Sequence, residues 1–320
     1  MLRVDSVAQA AGRAAARIAE VVHRTPLVRS PAFSDATGAD VYLKLENQQH
    51  TGSFKLRGAT NCLMTLTPEQ RQKGCVTASS GNHGAAVAYA MRRLESTGVI
   101  FVPEQTSSAK VDAIRSYGGE VRFFGTDGLD TEHYARRFAA DNGMYYLSPY
   151  NDVEVIAGQG TCGIEIAEQL PEVDAAFIAV GGGGLMSGAG SVLKIHNPGV
   201  RLFGCQPEAS AIMAKSVEAG RVLDLPSEPT LSDGTAGGVE ADSVTFPLCR
   251  ELVDEFVLVS EQQIAVAMRE YFSAEKHQIE GAAGVAIAAL SKRCGSVKGM
   301  KVVVIICGGN VSEATLKSVL

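Results

Sequence analysis

The segment TGSFKLRG, residues 51–58, contains a lysine that could act as a nucleophile. Its polar start followed by LRGATNCLMTL predicts a loop that delivers Lys55 to the first turn of a helix, with Ser53 as the N-cap and Gly52 at a tight turn. The helix macrodipole opposes an ammonium in the first turn, so this position favours the neutral, nucleophilic amine. Taken alone, such a lysine is more often a surface residue with a solvated tip.

The sequence SSGNHG, residues 79–84, lies between a predicted strand, CVTAS, and a predicted helix. Free backbone N–H groups at such a turn, and at the start of a helix, can hold a carboxylate. Ser80 and Asn82 add short polar side chains that can reach a ligand. By itself the turn is more typical of a simple helix N-cap.

Four consecutive glycines, residues 181–184, follow an apolar predicted strand and precede a predicted helix. Their N–H groups are unobstructed by side chains, which suits a phosphate bound at the start of the helix. The dinucleotide fingerprint GxGxxG is not matched, because Met186 or Ser187 stands at the third glycine. The lysine and hydroxyl residue of a nucleotide-triphosphate loop are also missing. A single phosphate is therefore expected, and a nicotinamide dehydrogenase is disfavoured.

The segment KVVVIICGGN, residues 301–310, predicts a strand buried on both faces that leads into Cys307. The sulfur there could present a weakly polar group to a heterocycle, although a buried cysteine taken alone is more often a small hydrophobe. No neighbouring residue supports a redox or metal-binding role for it.

These four segments must be positioned by an alternation of strands and helices. Through Pro149 short strands alternate with amphipathic helices, which predicts a compact parallel α/β unit. The second half repeats this pattern on a larger scale, with a looser stretch over residues 212–238. Ligands of open parallel sheets bind beyond the carboxyl ends of the strands, so the loops there are where the chemistry is expected.

Composition excludes several classes of protein. The net charge of -6 and the lack of a basic stretch argue against a nucleic-acid partner. No apolar run has the length of a membrane span. The seven cysteines are scattered without a CxxC pair or metal-finger spacing, which predicts a reduced, cytoplasmic protein.

An amine, a carboxylate cradle, a monophosphate cradle and a ring-facing group are together what pyridoxal 5'-phosphate requires. The motifs TGSFKLRGA, SSGNHG, VIAGQGT, GGGGLMSG, IEGAAG and CGGN occur in this order over nearly the whole chain. This ordered set resembles the fold type II pyridoxal-phosphate enzymes, in particular the serine/threonine dehydratase and serine racemase group. The resemblance implies an α/β fold of two domains, each with a mainly parallel sheet flanked by helices, and an active site in the cleft between them. Residues 1–65 and 148–320 would form the large cofactor-binding domain, and residues 66–147 a small mobile domain.

The resemblance also implies a set of cofactor-binding residues: Lys55, Phe54, Asn82, Gly181, Gly182, Gly183, Gly184, Glu280 and Cys307. Lys55 would bind the cofactor covalently and then remove the proton from the α-carbon of the substrate. Asn82 would hydrogen-bond the ring hydroxyl, the glycines would bind the phosphate, and Cys307 would face the pyridine nitrogen. Glu280 resembles a glutamate near the ring in relatives, and a structural role for it is equally compatible.

The substrate carboxylate would be clamped by the turn formed by Ser79, Ser80, Gly81, Asn82 and His83. The expected reaction is removal of the β-hydroxyl of an amino acid, followed by hydrolysis to a 2-oxo acid and ammonia. L-Threonine or L-serine is the default substrate, with hydroxyaspartate, phenylserine or a hydroxylated diamino acid as alternatives. The competing activity is an amino acid racemase, in which Lys55 and Ser80 would act as catalytic acid and base on opposite faces.

Two further expectations concern metal and partners. Relatives often bind a divalent cation through a Glu-Pro motif, but here the corresponding stretch reads Cys-Gln-Pro-Glu over residues 205–208. Gln206 removes one charge from a site for a hard cation, so no metal is expected. The partner is a small-molecule amino acid, and family precedent implies a homodimer.

Overall fold

Two β-sheets organise the chain in the computed structural model, which describes residues 2–320. The strands are β1 (Leu27–Arg29), β2 (Asp40–Lys44), β3 (Cys75–Ala78), β4 (Gly98–Val102), β5 (Glu120–Phe123), β6 (Tyr145–Tyr146), β7 (Ala175–Ala179), β8 (Arg201–Pro207), β9 (Glu255–Val259) and β10 (Lys301–Ile305). One sheet has six strands in the order β1-β2-β10-β7-β8-β9, and the other has four in the order β5-β4-β3-β6. Only the β1–β2 pair is antiparallel within these described sheets.

Helices connect the strands and cover the sheets. They are α1 (Val4–Ile18), α2 (Pro31–Thr37), α3 (Lys55–Thr65), α4 (Pro68–Lys73), α5 (Asn82–Arg93), α6 (Ser108–Ser116), α7 (Gly128–Asp141), α8 (Val153–Gln169), α9 (Ser191–His196), α10 (Ile212–Ala219), α11 (Thr245–Leu252), α12 (Glu261–Glu275), α13 (Gly281–Lys292) and α14 (Glu313–Val319). A π-helical turn, Met186–Gly190, leads into α9. This alternation of parallel strands and helices confirms the predicted α/β fold.

The two sheets divide the chain in the way that the resemblance implies. All four strands of the smaller sheet fall within residues 66–147, and all six strands of the larger sheet fall outside this range. The domain boundaries at residues 65 and 148, and the mobility of the smaller unit, stay predictions.

The central strands of the larger sheet are buried on both faces. Every residue of β7 is buried, and β10 is buried from Val302 onward. The stacked rings of Phe177 and Phe203, whose centroids lie 4.4 Å apart, fill the space over β7 and β8. Because β7 and β10 are parallel neighbours, residues 181–184 and 307–310 leave the sheet at the same edge. This shared edge brings two of the predicted loops together.

Several local predictions differ from the structure. The segment between α1 and β2 contains β1 and α2, and the looser stretch over residues 212–238 begins with α10. Helix α10 is stabilised by burial of Ile212 and Met213 and ends at Gly220 in a left-handed conformation. Strand β9 lies between α11 and α12 and forms one edge of the larger sheet. These elements are short or lie at sheet edges, where periodicity is weakest.

Within residues 2–320, no helix combines the length and apolar character needed to cross a membrane.

Candidate active site

The loop before Lys55 is held by the residues that follow β10. The N–H group of Phe54 donates to the carbonyl oxygen of Cys307 at 3.1 Å, and that of Gly309 donates to the carbonyl oxygen of Gly52 at 2.9 Å. Ser53 pairs with Gly308 in an antiparallel bridge between these two bonds. Helix α3 begins at Lys55 with Phe54 before it, and no side chain caps it. The expectation that Ser53 is the N-cap is therefore wrong, because its backbone is committed to the bridge.

Lys55 projects from the first turn of α3 into the space between the two sheets. Its Nζ atom donates to the carbonyl oxygen of Pro149 at 3.0 Å and lies 5.3 Å from the centroid of the Phe54 ring. Burial lowers the pKa of the Lys55 amine from 10.5 to about 8, although Glu280 and Cys307 oppose this shift. The neutral, nucleophilic form is thus much more populated near neutral pH than in an ordinary lysine.

The four glycines after β7 form a loop that side chains would block. A Cβ atom on Gly182 would lie 2.4 Å from the ring of Tyr150, and one on Gly181 would lie 3.0 Å from the backbone of Thr235. Gly183 has a φ of +87°, a left-handed conformation that favours glycine. The loop therefore keeps its N–H groups open in front of the following helix, as an anion cradle requires.

The SSGNHG turn joins β3 to α5. The Oγ atom of Ser79 accepts from the N–H of Gly81 at 3.2 Å, and Ser80 is partly buried beside it. A Cβ atom on Gly84 would lie 2.2 Å from the carbonyl oxygen of Ser79, so the turn packs tightly onto the helix. Backbone N–H groups at the start of α5 remain available to a carboxylate.

His83 does not present its imidazole to this turn. The ring is buried, and its Nε2 atom lies 3.1 Å from the carbonyl oxygen of Leu147, to which it must donate. Burial, together with the charge of Lys55, lowers the pKa of His83 to about 3, so the ring is neutral. If His83 contacts a substrate carboxylate, as the resemblance implies, the contact is made by its backbone.

Asn82, Glu280 and Cys307 meet across the space in front of Lys55. The Nδ2 atom of Asn82 donates to Oε2 of Glu280 at 2.8 Å, and the sulfur of Cys307 lies 3.8 Å from Oε1 of the same carboxyl. Burial raises the pKa of Glu280 from 4.5 to about 7 despite the hydrogen bond from Asn82. Burial, reinforced by Glu280, also raises the pKa of the Cys307 thiol well above its ordinary value, so the thiol is neutral.

A buried ionic network behind α3 was missed by sequence reasoning. The guanidinium of Arg57, which is fully buried, donates to Glu46 at 2.7 and 2.8 Å and to Glu165 at 2.7 and 2.9 Å. The ammonium of Lys44 donates to Glu165 at 2.6 Å. This network ties the first turn of α3, and hence Lys55, to β2 and α8. The sequence feature that could have indicated this network is the presence of charged residues within the apolar pattern of β2.

A family model described as a pyridoxal-phosphate dependent enzyme matches residues 18–308. The chain belongs to this family. An L-threonine ammonia-lyase of Thermotoga maritima is 41% identical over 91% of this chain and 72% of its own length. The processed form of threonine deaminase isoform 2 from Solanum lycopersicum has a TM-score of 0.94 at 34% identity, covering 99% of this chain and 93% of that one. Maize serine racemase has a TM-score of 0.91 at 34% identity, covering 97% and 95%.

The predictions of family, fold and cofactor are thereby confirmed, and the site fits pyridoxal phosphate. The glycine loop packs so closely against Tyr150 that only a residue without a side chain fits at Gly182, and Lys55 offers a buried amine with a lowered pKa. In this arrangement Lys55 would bind the cofactor, residues 181–184 would hold its phosphate, and Asn82 and Cys307 would lie along its ring. When bound, the cofactor supplies an electron sink for charge that develops on the substrate.

Gln206 occupies the stretch where relatives are expected to bind a cation. Its Nε2 atom donates to the carbonyl oxygen of Val180 at 2.9 Å and lies 3.5 Å from that of Ser210. Its Oε1 atom accepts from the N–H of Ala214 at 2.8 Å. An N–H donor thus faces the carbonyl oxygens that could have served a hard cation, so these residues do not fit a metal. No group of three potential His, Cys, Asp or Glu ligands occurs among residues 2–320.

Proposed function

We propose that this chain, a pyridoxal-phosphate-dependent lyase, removes the β-hydroxyl of a β-hydroxy amino acid and yields a 2-oxo acid and ammonia. The observation that carries the proposal is the pairing of a buried amine, Lys55, with a neutral thiol, Cys307, at one cofactor site. One water leaves when the β-hydroxyl is eliminated, and one water is consumed in the final hydrolysis. The net products are therefore the 2-oxo acid and one ammonia.

Lys55 is the general base. Its amine has a pKa of about 8, close to the operating pH. A base with such a pKa is substantially deprotonated and still accepts a proton strongly. The substrate carboxylate binds at the turn of residues 79–83 to backbone N–H groups at the start of α5, next to the side chains of Ser79 and Ser80. This anchor aligns the Cα–H bond with the Lys55 amine, and such alignment accounts for a large part of rate gains in enzymes.

Cys307 favours elimination over transamination. A neutral thiol cannot hold a pyridine nitrogen protonated in the way that a carboxylate would. Negative charge that develops on the α-carbon would therefore be delocalised less into the ring. Expulsion of the hydroxyl from the β-carbon would then be the favoured way to remove this charge.

L-Threonine is the first substrate to test, because a 41%-identical relative is an L-threonine ammonia-lyase. L-Serine, hydroxyaspartate, phenylserine and hydroxylated diamino acids complete the range. The loop LSDGTAGGVE, residues 231–240, borders the substrate side chain. Proximity to the cofactor site supports this assignment, because the backbone of Thr235 would lie 3.0 Å from a Cβ atom on Gly181.

The test is a release assay for 2-oxo acid and ammonia over a panel of L- and D-β-hydroxy amino acids, with and without EDTA. We expect one substrate to react fast, equimolar products, no effect of EDTA and no reaction with Lys55→Ala. A cofactor-loaded protein that releases no 2-oxo acid from any member of the panel would contradict the proposal.

An amino acid racemase is the second candidate, because serine racemase from maize has the same fold at 34% identity. Ser80, at the turn from β3 to α5, would serve as the second acid and base. Incubation with L-serine separates the two functions: dehydration gives mainly pyruvate, and racemisation gives mainly D-serine.

A cytoplasmic homodimer completes the proposal. Seven free cysteines support a reducing compartment. Light scattering coupled to gel filtration tests the dimer, which should have about twice the 33.6 kDa mass of one chain.

A further inference from the structure

The side-chain amide of Asn310 connects the loop before Lys55 to Asn82. Its Nδ2 atom donates to the carbonyl oxygen of Thr51 at 2.8 Å and to Oδ1 of Asn82 at 2.7 Å. The Nδ2 atom of Asn82 then donates to Oε2 of Glu280 at 2.8 Å. These three bonds form a directed chain of donors and acceptors that ends beside Lys55.

The direction of this chain is set by Thr51. A backbone carbonyl can only accept, so the end of Asn310 that faces it must be the NH2 group. That NH2 group has a second hydrogen, which requires an acceptor, and Asn82 must therefore turn its Oδ1 atom toward Asn310. The NH2 group of Asn82 is left pointing toward Glu280 and the space in front of Lys55.

Glu280 cannot set this orientation by itself. Burial raises its pKa to about 7, so the carboxyl is partly protonated near neutral pH. A protonated carboxyl can donate as well as accept, and it could therefore bond to either end of the Asn82 amide. Only the contact with Asn310 distinguishes the two ends.

The contact also joins the two sheets of the molecule. Asn82 is the first residue of α5, which follows strand β3 of the four-stranded sheet, whereas Thr51, Glu280 and Asn310 belong to the larger unit. Gly52 permits the close approach, because a Cβ atom there would lie 2.5 Å from Oδ1 of Asn310. The orientation of the Asn82 amide thus depends on a contact between the two units.

We propose that Asn310 is a positioning residue that locks the NH2 end of Asn82 toward the ring oxygen of the cofactor. The ring oxygen, when ionised, accepts hydrogen bonds only, so it needs a donor at this place. The inference rests on the proposed placement of Asn82 at that oxygen, but not on the identity of the substrate.

The experiment compares purified holoenzyme variants of Asn310 in two backgrounds, wild type and Asn82→Ala. Asn310→Ala removes the donor, and Asn310→Asp replaces it with an acceptor that selects the wrong end of Asn82. The readouts are cofactor retention on dilution and the position of the cofactor's visible absorbance band. Circular dichroism and the unfolding midpoint verify that each variant is folded.

A carboxylate near the cofactor also changes the local charge, so a matched control is needed. Gln278→Glu introduces the same charge into the groove that Gln278 and Asn310 both line, without a contact to Asn82. We expect this variant to retain the cofactor like the wild type.

We expect Asn310→Ala to weaken cofactor binding several-fold and Asn310→Asp by about tenfold or more, with a shifted absorbance band. In the Asn82→Ala background, Asn310→Ala and Asn310→Asp should bind the cofactor equally, because no amide remains to be oriented. The inference would be overturned if the Asn310 variants lost the same cofactor affinity in both backgrounds, or if Asn310→Asp bound the cofactor as tightly as the wild type. If Asn82→Ala alone bound the cofactor normally, the placement of Asn82 would fail, while the dehydratase assay would be unaffected.

Discussion

The N–H group of Phe54 donates to the carbonyl oxygen of Cys307 across 3.1 Å, although the two residues are 253 positions apart in the chain. This bond places the reactive lysine and the thiol at one end of the same backbone ladder. It explains how Lys55, near the start of the chain, and Cys307, near its end, could serve one cofactor.

Replacement of Lys55 should abolish catalysis without unfolding the protein. Lys55→Ala removes both the covalent attachment and the general base, and loss of a general base alone lowers rates by about 10²- to 10⁴-fold. The measurement is 2-oxo acid release together with the visible absorbance of the bound cofactor. Lys317→Ala, at an exposed position where the lysine pairs with Glu313 in α14, is the control and should behave like wild type. Retained turnover by Lys55→Ala would contradict its role.

A methyl group on Gly182 should close the phosphate cradle. Its Cβ atom would lie 2.4 Å from the ring of Tyr150, so either the ring or the loop must move. We expect Gly182→Ala to weaken cofactor binding by about tenfold or more, because misplaced N–H groups lose charge-assisted bonds to phosphate. Gly295→Ala is the matched control, since no atom lies within 4 Å of its added Cβ. The idea fails if both variants retain the cofactor equally.

Stability of the cofactor-free protein should depend on pH through Glu280. Its pKa is raised from 4.5 to about 7 by burial, so the folded state keeps a proton that the unfolded state has lost between these values. Unfolding free energy contributed by this group therefore falls as pH rises from about 4.5 to about 7. In urea titrations, Glu280→Gln should lack this fall and gain stability relative to wild type with rising pH. Glu313→Gln, at an exposed position, should follow the wild-type profile.

Gln206 should make the protein indifferent to divalent cations. Gln206→Glu would replace an N–H donor with a carboxylate that faces the carbonyl oxygens of Val180 and Ser210. Leaving such buried groups unsatisfied lowers the free energy of unfolding by about 1–3 kcal/mol. We expect calcium or magnesium to restore part of this loss in the variant and to leave the wild type unchanged. A wild-type unfolding midpoint that falls in EDTA would refute the prediction.

Much of the site was predictable because its chemistry is local. The run of four glycines, the turn at residues 79–84 and the lysine of TGSFK each carry their geometry within a few residues. Their order along an alternating pattern of strands and helices indicated the fold and the cofactor. Comparison with relatives confirmed both.

Other features depended on distant partners. Ser53 looked like a helix cap, but pairing with Gly308 claimed its backbone. His83 was expected in the turn that clamps the substrate carboxylate, but its ring bonds to the carbonyl group of Leu147 in the interior, so only its backbone is left for that role. Asn310 stood inside a recognised motif, and its three-way contact was still invisible because neither Thr51 nor Asn82 is near it in sequence.

The amino-acid sequence by itself determined the class of fold, the cofactor and the residues that could bind it, because glycine conformations, helix starts and apolar periodicity act over short distances. Only the tertiary structure decided which of these groups face one another, how their pKa values shift and which end of each amide points at the site. Those properties follow from strand order and burial, which join residues hundreds of positions apart and remove water from between them.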